Sequence, residues 1–154
     1  MITFVGIIGK HDKPLYLKAF TGSLYDDAQL IEWTYAACDV FYERLQNAST
    51  AAKPQESYFG LLTAYPRVSL YGLLTNTHIK IVLAIQETEL LISESMVKSV
   101  LTRIHAAYIR AVLNPFHLRR VDDNEPISSL AMDKAISHII STWPTPAKRQ
   151  PVHD

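Results

Sequence analysis

The sequence contains a single cysteine, Cys38, among its 154 residues. No intrachain disulfide can form, so the fold must rest on its hydrophobic core, and the chain suits a reducing compartment. Glycine is scarce, at five residues, and only 19% of residues are charged against 48% hydrophobic. That balance excludes collagen-like and disordered chains. No surplus of either charge exists, because 15 Lys+Arg balance 15 Asp+Glu. A protein that grips a phosphate backbone needs a basic excess, so no nucleic-acid partner is expected. Long apolar runs are also missing. The opening "ITFVGIIG" stops at Lys10 with no basic segment ahead of it, and "IVLAI" at 81–85 is strand-sized. Neither a signal peptide nor a membrane-spanning helix is expected. Asn47-Ala48-Ser49 matches a glycosylation acceptor, but without an export signal it has no route to the transferase. The expectation is a cytoplasmic protein without direct membrane insertion.

The length suffices for one domain with a sizeable core. Residues 1–143 are read as that domain, and 144–154, with three prolines, as a flexible tail. "ITFVGIIGK" (2–10) and "LYLKAF" (15–20) flank a polar, proline-containing gap and predict a hairpin. A helix capped by Asp26 or Asp27 follows, because Leu30, Trp33, Ala37, Phe41 and Leu45 recur at helical spacing. A second stripe, Ile31, Tyr35, Cys38 and Tyr42, widens its apolar face. A loop is expected over 47–56. Strands are expected over 57–65, 68–75 and 78–86, joined through Pro-Arg and Asn-Thr as an antiparallel meander. In the last strand, Ile79, Ile81, Leu83 and Ile85 face one way and Val82 and Ala84 the other, so both faces should be covered. Gly60 and Gly72 interrupt two strands and predict a bulge or a close helix.

Ser93 or Ser95 should cap a helix with Val97, Val100, Leu101, Ile104, Tyr108 and Val112 on one stripe. A last helix from about Ser128 groups Met132, Ile136, Ile139, Ile140 and Trp143. The predicted order is β-β-α-β-β-β-α-α. This is an α+β fold, a five-stranded antiparallel sheet with helices on both faces.

Motifs for catalysis and for metal or cofactor binding are missing. "GIIGK" (6–10) is too short for a phosphate-binding loop, and His11 stands where Ser or Thr should hold magnesium. No Gly-x-Ser-x-Gly elbow or Gly-x-Gly-x-x-Gly turn occurs. The six histidines never fall at i, i+4 and have no cysteine partners at metal spacing. Cys38, in an apolar stripe, reads as a small buried hydrophobe. No catalytic residue, metal or cofactor is expected.

The stretch "AAYIRAVLNPFHLRR" (106–120) carries Asn114-Pro115-Phe116. In a mobile segment that tripeptide is a ligand for endocytic adaptor domains. Here it directly follows an amphipathic helix. Pro115 cannot continue the helix and biases Asn114 away from helical geometry, so Leu113 should be about its last residue. Phe116 is then placed to pack back on the preceding turn. The structural reading, a helix stop with an aromatic anchor, is preferred.

In their order along the chain, these segments resemble the sedlin family of small subunits of the TRAPP vesicle-tethering complex, most closely its subunit 2-like branch. The resemblance lies in "VGIIGKHDKPLYLKAF" (5–20), "ACDVFYERL" (37–45), "YGLLTNTHIKIVLAI" (71–85) and "IHAAYIRAVLNPFH" (104–117), and it covers residues 2–142. It implies a longin-like (sedlin-like) domain, with one helix on one sheet face and two on the other. It further implies a non-enzymatic subunit that assembles or stabilises a complex acting in ER-Golgi or intra-Golgi transport. Its partners would be other small core and large TRAPP subunits, with a Rab-type GTPase met only through the assembled complex. The protein would lie peripherally on Golgi membranes through that complex. The alternatives are sedlin itself, or a sigma- or zeta-type small chain of a clathrin or coatomer adaptor. A longin-bearing fusion protein would need a coiled-coil segment and an anchor after the domain. A small enzyme on the same scaffold would need a pocket that gathers titratable groups.

An assembly subunit needs an apolar patch left over after folding. Tyr35, Asp39 and Tyr42 on the first helix are the candidates for a partner interface, since aromatic residues beside a charge are typical anchors. On the alternative reading, the tyrosines cover the helix–sheet seam and Asp39 is a solvated helix charge.

Overall fold

Five strands and three helices follow one another in the computed structural model, which describes residues 1–48, 58–88, 92–113 and 130–143. The strands are β1 (Ile2–Ile8), β2 (Pro14–Ala19), β3 (Tyr58–Tyr65), β4 (Val68–Leu74) and β5 (Lys80–Gln86). The helices are α1 (Asp27–Ala48), between β2 and β3, then α2 (Glu94–Leu113) and α3 (Leu130–Ser141) after β5. All strand pairs are antiparallel, and the order across the sheet is β2-β1-β5-β4-β3. β5 is therefore central. That position explains the lack of apolar–polar alternation in its sequence, because both of its faces are buried. Ile81, Leu83 and Ile85 join α2 and α3 in one core, while Val82 and Ala84 join α1 in the other.

The main stripe of each helix read from the sequence is the one that packs on the sheet or on the neighbouring helix. Leu30, Ala37 and Phe41 of α1 are sealed against the sheet, with Trp33 and Leu45 packed at the margins. Val97, Val100, Leu101, Ile104 and Tyr108 of α2 meet Met132, Ile136 and Ile139 of α3 over the opposite face. Asp26 Oδ1 accepts a hydrogen bond from Gln29 N at 2.8 Å and so caps α1. Ser93 does the same for α2 through Met96 N. At the sheet margin, Trp33 stacks on Tyr65 with ring centroids 3.9 Å apart and meets Tyr25 edge-on. Near the other end of α1, the Arg44 guanidinium donates to the Phe59 and Leu61 carbonyls of edge strand β3. These contacts fix the rotation of α1, a quantity that periodicity leaves open.

Several boundaries differ from expectation by a residue or two, and two of the differences reshape a loop. α1 runs through Ala48, so the loop expected from 47 starts later. The β4–β5 turn is longer than Asn-Thr. Thr75 and Ile79 pair through Thr75 N to Ile79 O, and the Thr75 hydroxyl accepts from Ile79 N. The bend is completed by His78 at φ 63, and β5 starts only at Lys80. α2 ends at Leu113 as expected. Asn114, Pro115 and Phe116, and the tail 144–154, lie outside the described residues.

α3 is tied to β2 by Asp133, whose Oδ1 accepts from Lys18 Nζ and Tyr16 Oη, both at 2.8 Å. These two hydrogen bonds hold the Asp133 carboxyl below its usual pKa. A depressed carboxylate contributes stability above its unfolded pKa of about 3.9, and that contribution is lost as pH falls through the lower folded value. Both ionic side chains are about one-third exposed, so the effect is small. Asp133→Asn is expected to lower Tm at pH 7 by about 1–3 °C. Repeating the melts between pH 7 and pH 2 should bring parent and variant together; a constant gap would reject the ionic tie.

Candidate interaction surface

With α1 fixed by Trp33 and Arg44, the outer side of its stripe can be read directly. Residues 35, 39 and 42 lie at i, i+4 and i+7 and therefore on one face. Tyr35 is half-buried, Asp39 is exposed, and Tyr42 is 42% exposed. Cys38, on the inner flank, is only 1% exposed and directs its thiol to the Thr34 carbonyl. Burial, reinforced by the nearby Asp12 charge, raises that thiol to about 11, so it stays protonated and unreactive at neutral pH. The Tyr35 phenol is likewise raised, first by burial and then by the Cys38 and Asp12 charges. Asp39 forms no ion pair among the described residues.

Tyr42 belongs to a cluster that the helical pattern did not reveal. Its hydroxyl donates to Asp12 Oδ1 at 3.2 Å and accepts from Lys80 Nζ at 3.1 Å. Lys80 Nζ also donates to Asp12 Oδ1 at 2.7 Å and lies 4.6 Å from the Tyr42 ring centroid. Lys80 is only 3% exposed. Burial alone would lower its pKa, but the hydrogen bonds it donates to Asp12 and Tyr42 more than offset this and raise the pKa above its ordinary value. The β1–β2 connection is thereby pinned with His11 and Asp12 both at positive φ, 61° and 58°. Such geometry is uncommon for residues with a Cβ. A signal for Lys80 did exist. It is the one charge in "HIKIVLAI", on the same strand face as Val82 and Ala84, under α1.

Two of the grooves among the described residues combine polar and apolar side chains. One, of about 450 Å³ between β2 and α3, is lined by Lys18, Phe20, Ser137, Ile140 and Trp143 among others. The other, of about 530 Å³, gathers Lys10, His11 and His105 over Ile79, Tyr108 and Ile109 near the β4–β5 turn. Burial lowers the His105 pKa, and neither histidine hydrogen-bonds a side chain among the described residues. No three His, Cys, Asp or Glu side chains converge as a metal set among the described residues. No described helix is long and apolar enough to cross a membrane.

The architecture, a five-stranded antiparallel sheet with one helix on one face and two on the other, is longin-like. A family model described as sedlin matches residues 7–142. A trafficking protein particle complex subunit 2-like protein of Dictyostelium discoideum is 27% identical over 144 residues, covering 94% of this chain and 97% of its own length. Proteins of the same description from Xenopus tropicalis and Bos taurus are 24% and 23% identical over 141 residues, each covering 91% of this chain and 97% of its own length. With the family model spanning most of the sequence and the expected longin-like sheet in place, the chain belongs to the sedlin family.

Proposed function

We propose that the protein is a non-enzymatic small subunit of a TRAPP complex, belonging to the subunit 2-like branch and serving the assembly or stability of that complex. The observation that carries this reading is end-to-end similarity to proteins named as subunits of the trafficking protein particle complex, with 97% of their lengths matched. Similarity over nearly the whole length of those proteins favours a shared docking role over a reused scaffold. In this reading the partners are small core subunits and large subunits of the complex. Guanine-nucleotide exchange on a Rab-type GTPase belongs to the assembly, in ER-Golgi or intra-Golgi transport. Golgi membranes are reached only through the assembly.

Tyr35, Asp39 and Tyr42 form the docking face in this proposal. Their support is physical: two tyrosines on the outer side of a rotationally fixed helix, with an accessible carboxylate between them that has no ionic partner among the described residues. Tyrosines next to an accessible charge supply large contact area at low entropic cost. The test is gentle purification of the tagged protein from its own cells, with identification of what elutes in a large native assembly. TRAPP core and large subunits are expected. Recovery of adaptor large chains in their place would move the protein to the sigma-like class, and a partner-free monomer would overturn the assembly role.

A further inference from the structure

The Asp12–Lys80–Tyr42 cluster is not needed to complete either core. A buried lysine is costly unless paired, and this one lies where an aliphatic residue would continue the row of Val82 and Ala84. Its three contacts all converge on the rim of α1. They join the side chain of Tyr42 to a turn whose two central residues hold left-handed geometry.

We infer that Lys80 is a positioning residue for partner recognition, and that the docking face is composite. It comprises the Tyr35–Asp39–Tyr42 stripe together with the His11–Asp12 turn, and its occupant is a TRAPP subunit that sets an arginine against Asp39. The inference rests on the TRAPP-subunit reading above. Two arguments support it. Lys80 sits against Asp12 and compensates its charge, which leaves Asp39, with the exposed Glu43 one turn further along α1, as the carboxylates offered outward. A planar guanidinium can bond that carboxylate while stacking on a tyrosine face, which a lysine ammonium does less well. Lys80 also fixes the Tyr42 ring from beneath, through its hydroxyl and its π face together. Less rotamer freedom is then left to lose on binding.

The experiment compares tagged full-length variants in cells. It scores the amount of TRAPP subunits co-purifying, the Tm of the purified chain, and amide exchange over residues 9–13. Asp12→Asn keeps the size of the side chain and removes the ion pair. Tyr42→Phe keeps the ring and removes the hydroxyl. Asp133→Asn removes a more exposed Asp–Lys ion pair on the α3 side of the molecule. Asp12→Asn and Tyr42→Phe should each reduce co-purification about five- to tenfold and speed exchange in the turn, while Asp133→Asn leaves co-purification unchanged. If Asp39→Lys abolishes co-purification but Asp12→Asn and Tyr42→Phe do not reduce it, the positioning role is wrong and the docking stripe stands. Equal losses in Asp133→Asn at a matched Tm would assign the effect to stability and overturn the inference. Full recovery of subunits with Asp39→Lys would remove the docking stripe and this inference with it. A parent chain that recovers no TRAPP subunit at all would instead defeat the subunit reading.

Discussion

Gly72→Ala is expected to destabilise the protein by about 3 kcal/mol, the upper end for inserting a methyl group into a packed core. Gly72 sits in β4 beneath α1. A Cβ there would lie 2.5 Å from Leu62 Cδ1 and closer still to Phe41 Cζ. Phe41 is fully buried and its ring is held against Phe59, with centroids 4.9 Å apart. Neither neighbour is the free end of an exposed side chain, so relief requires α1 to lift from the sheet. For a chain of this length, Tm should fall by about 6–12 °C. Gly60→Ala provides the contrast. Gly60 has φ +71, and the nearest atoms to an added Cβ are 3.7 Å away, so only backbone strain of about 1–2 kcal/mol applies. Combining Gly72→Ala with Phe41→Leu should recover part of the loss, because the smaller side chain vacates the clash. Thermal melts of the four chains decide the matter. A Gly72→Ala midpoint within about 1 °C of the parent would mean that α1 is not seated as described.

Gly72 and Gly60 were legible in the sequence only together, as sites of a bulge or a close helix. The structure assigns the helix contact to the former and a register shift at positive φ to the latter. The two-sided burial of β5 followed from one observation, that Ile81–Ile85 is apolar on both faces, since a doubly covered strand sustains that pattern; the strand order did not, because a meander of consecutive strands leaves out the pairing of β1 with β5. The three helix stripes were legible for the same reason. They record burial, which is the strongest constraint on residue type.

The proposed interface was only half legible. Periodicity places Tyr35, Asp39 and Tyr42 on one face but does not say how far that face rolls toward solvent. The roll is set by Trp33 on Tyr65 and by Arg44 on the β3 carbonyls. Those contacts join segments about 15–32 residues apart, and no local window contains them. Asp12 and Lys80 were missed on similar grounds. Asp12 read as part of a polar turn, and Lys80 within its apolar strand drew no reading of its own. Their meaning appears only when Ile8 pairs with both Pro14 and Lys80, bringing the turn beside the start of β5. The β4–β5 turn was misjudged because the Thr75 hydroxyl, which accepts from Ile79 N, closes a wider bend than Asn-Thr suggests.

Asp39→Lys is the substitution expected to act most strongly on assembly, with little effect on the fold. Asp39 is exposed on the outer face of α1 and forms no ion pair among the described residues. Lysine is at least as good a helix former as aspartate in a helix interior. The isolated protein should therefore melt within about 2 °C of the parent, as surface substitutions outside special environments do. Against a basic partner side chain, the change turns attraction into repulsion at the centre of an aromatic patch. Losses of about 2–4 kcal/mol are typical for such anchors, or roughly 30- to 1,000-fold in affinity. Asp39→Asn separates the two contributions. It keeps the shape and part of the hydrogen bonding, so its loss should be several-fold smaller, and raised salt should narrow the gap between parent and Asp39→Asn by screening the charge. The measurement is quantitative recovery of TRAPP subunits with each variant at two salt concentrations, beside a melt of the purified chain. Undiminished recovery with Asp39→Lys would exclude this face of α1 from the interface. A collapsed melt would show instead that Asp39 supports the fold.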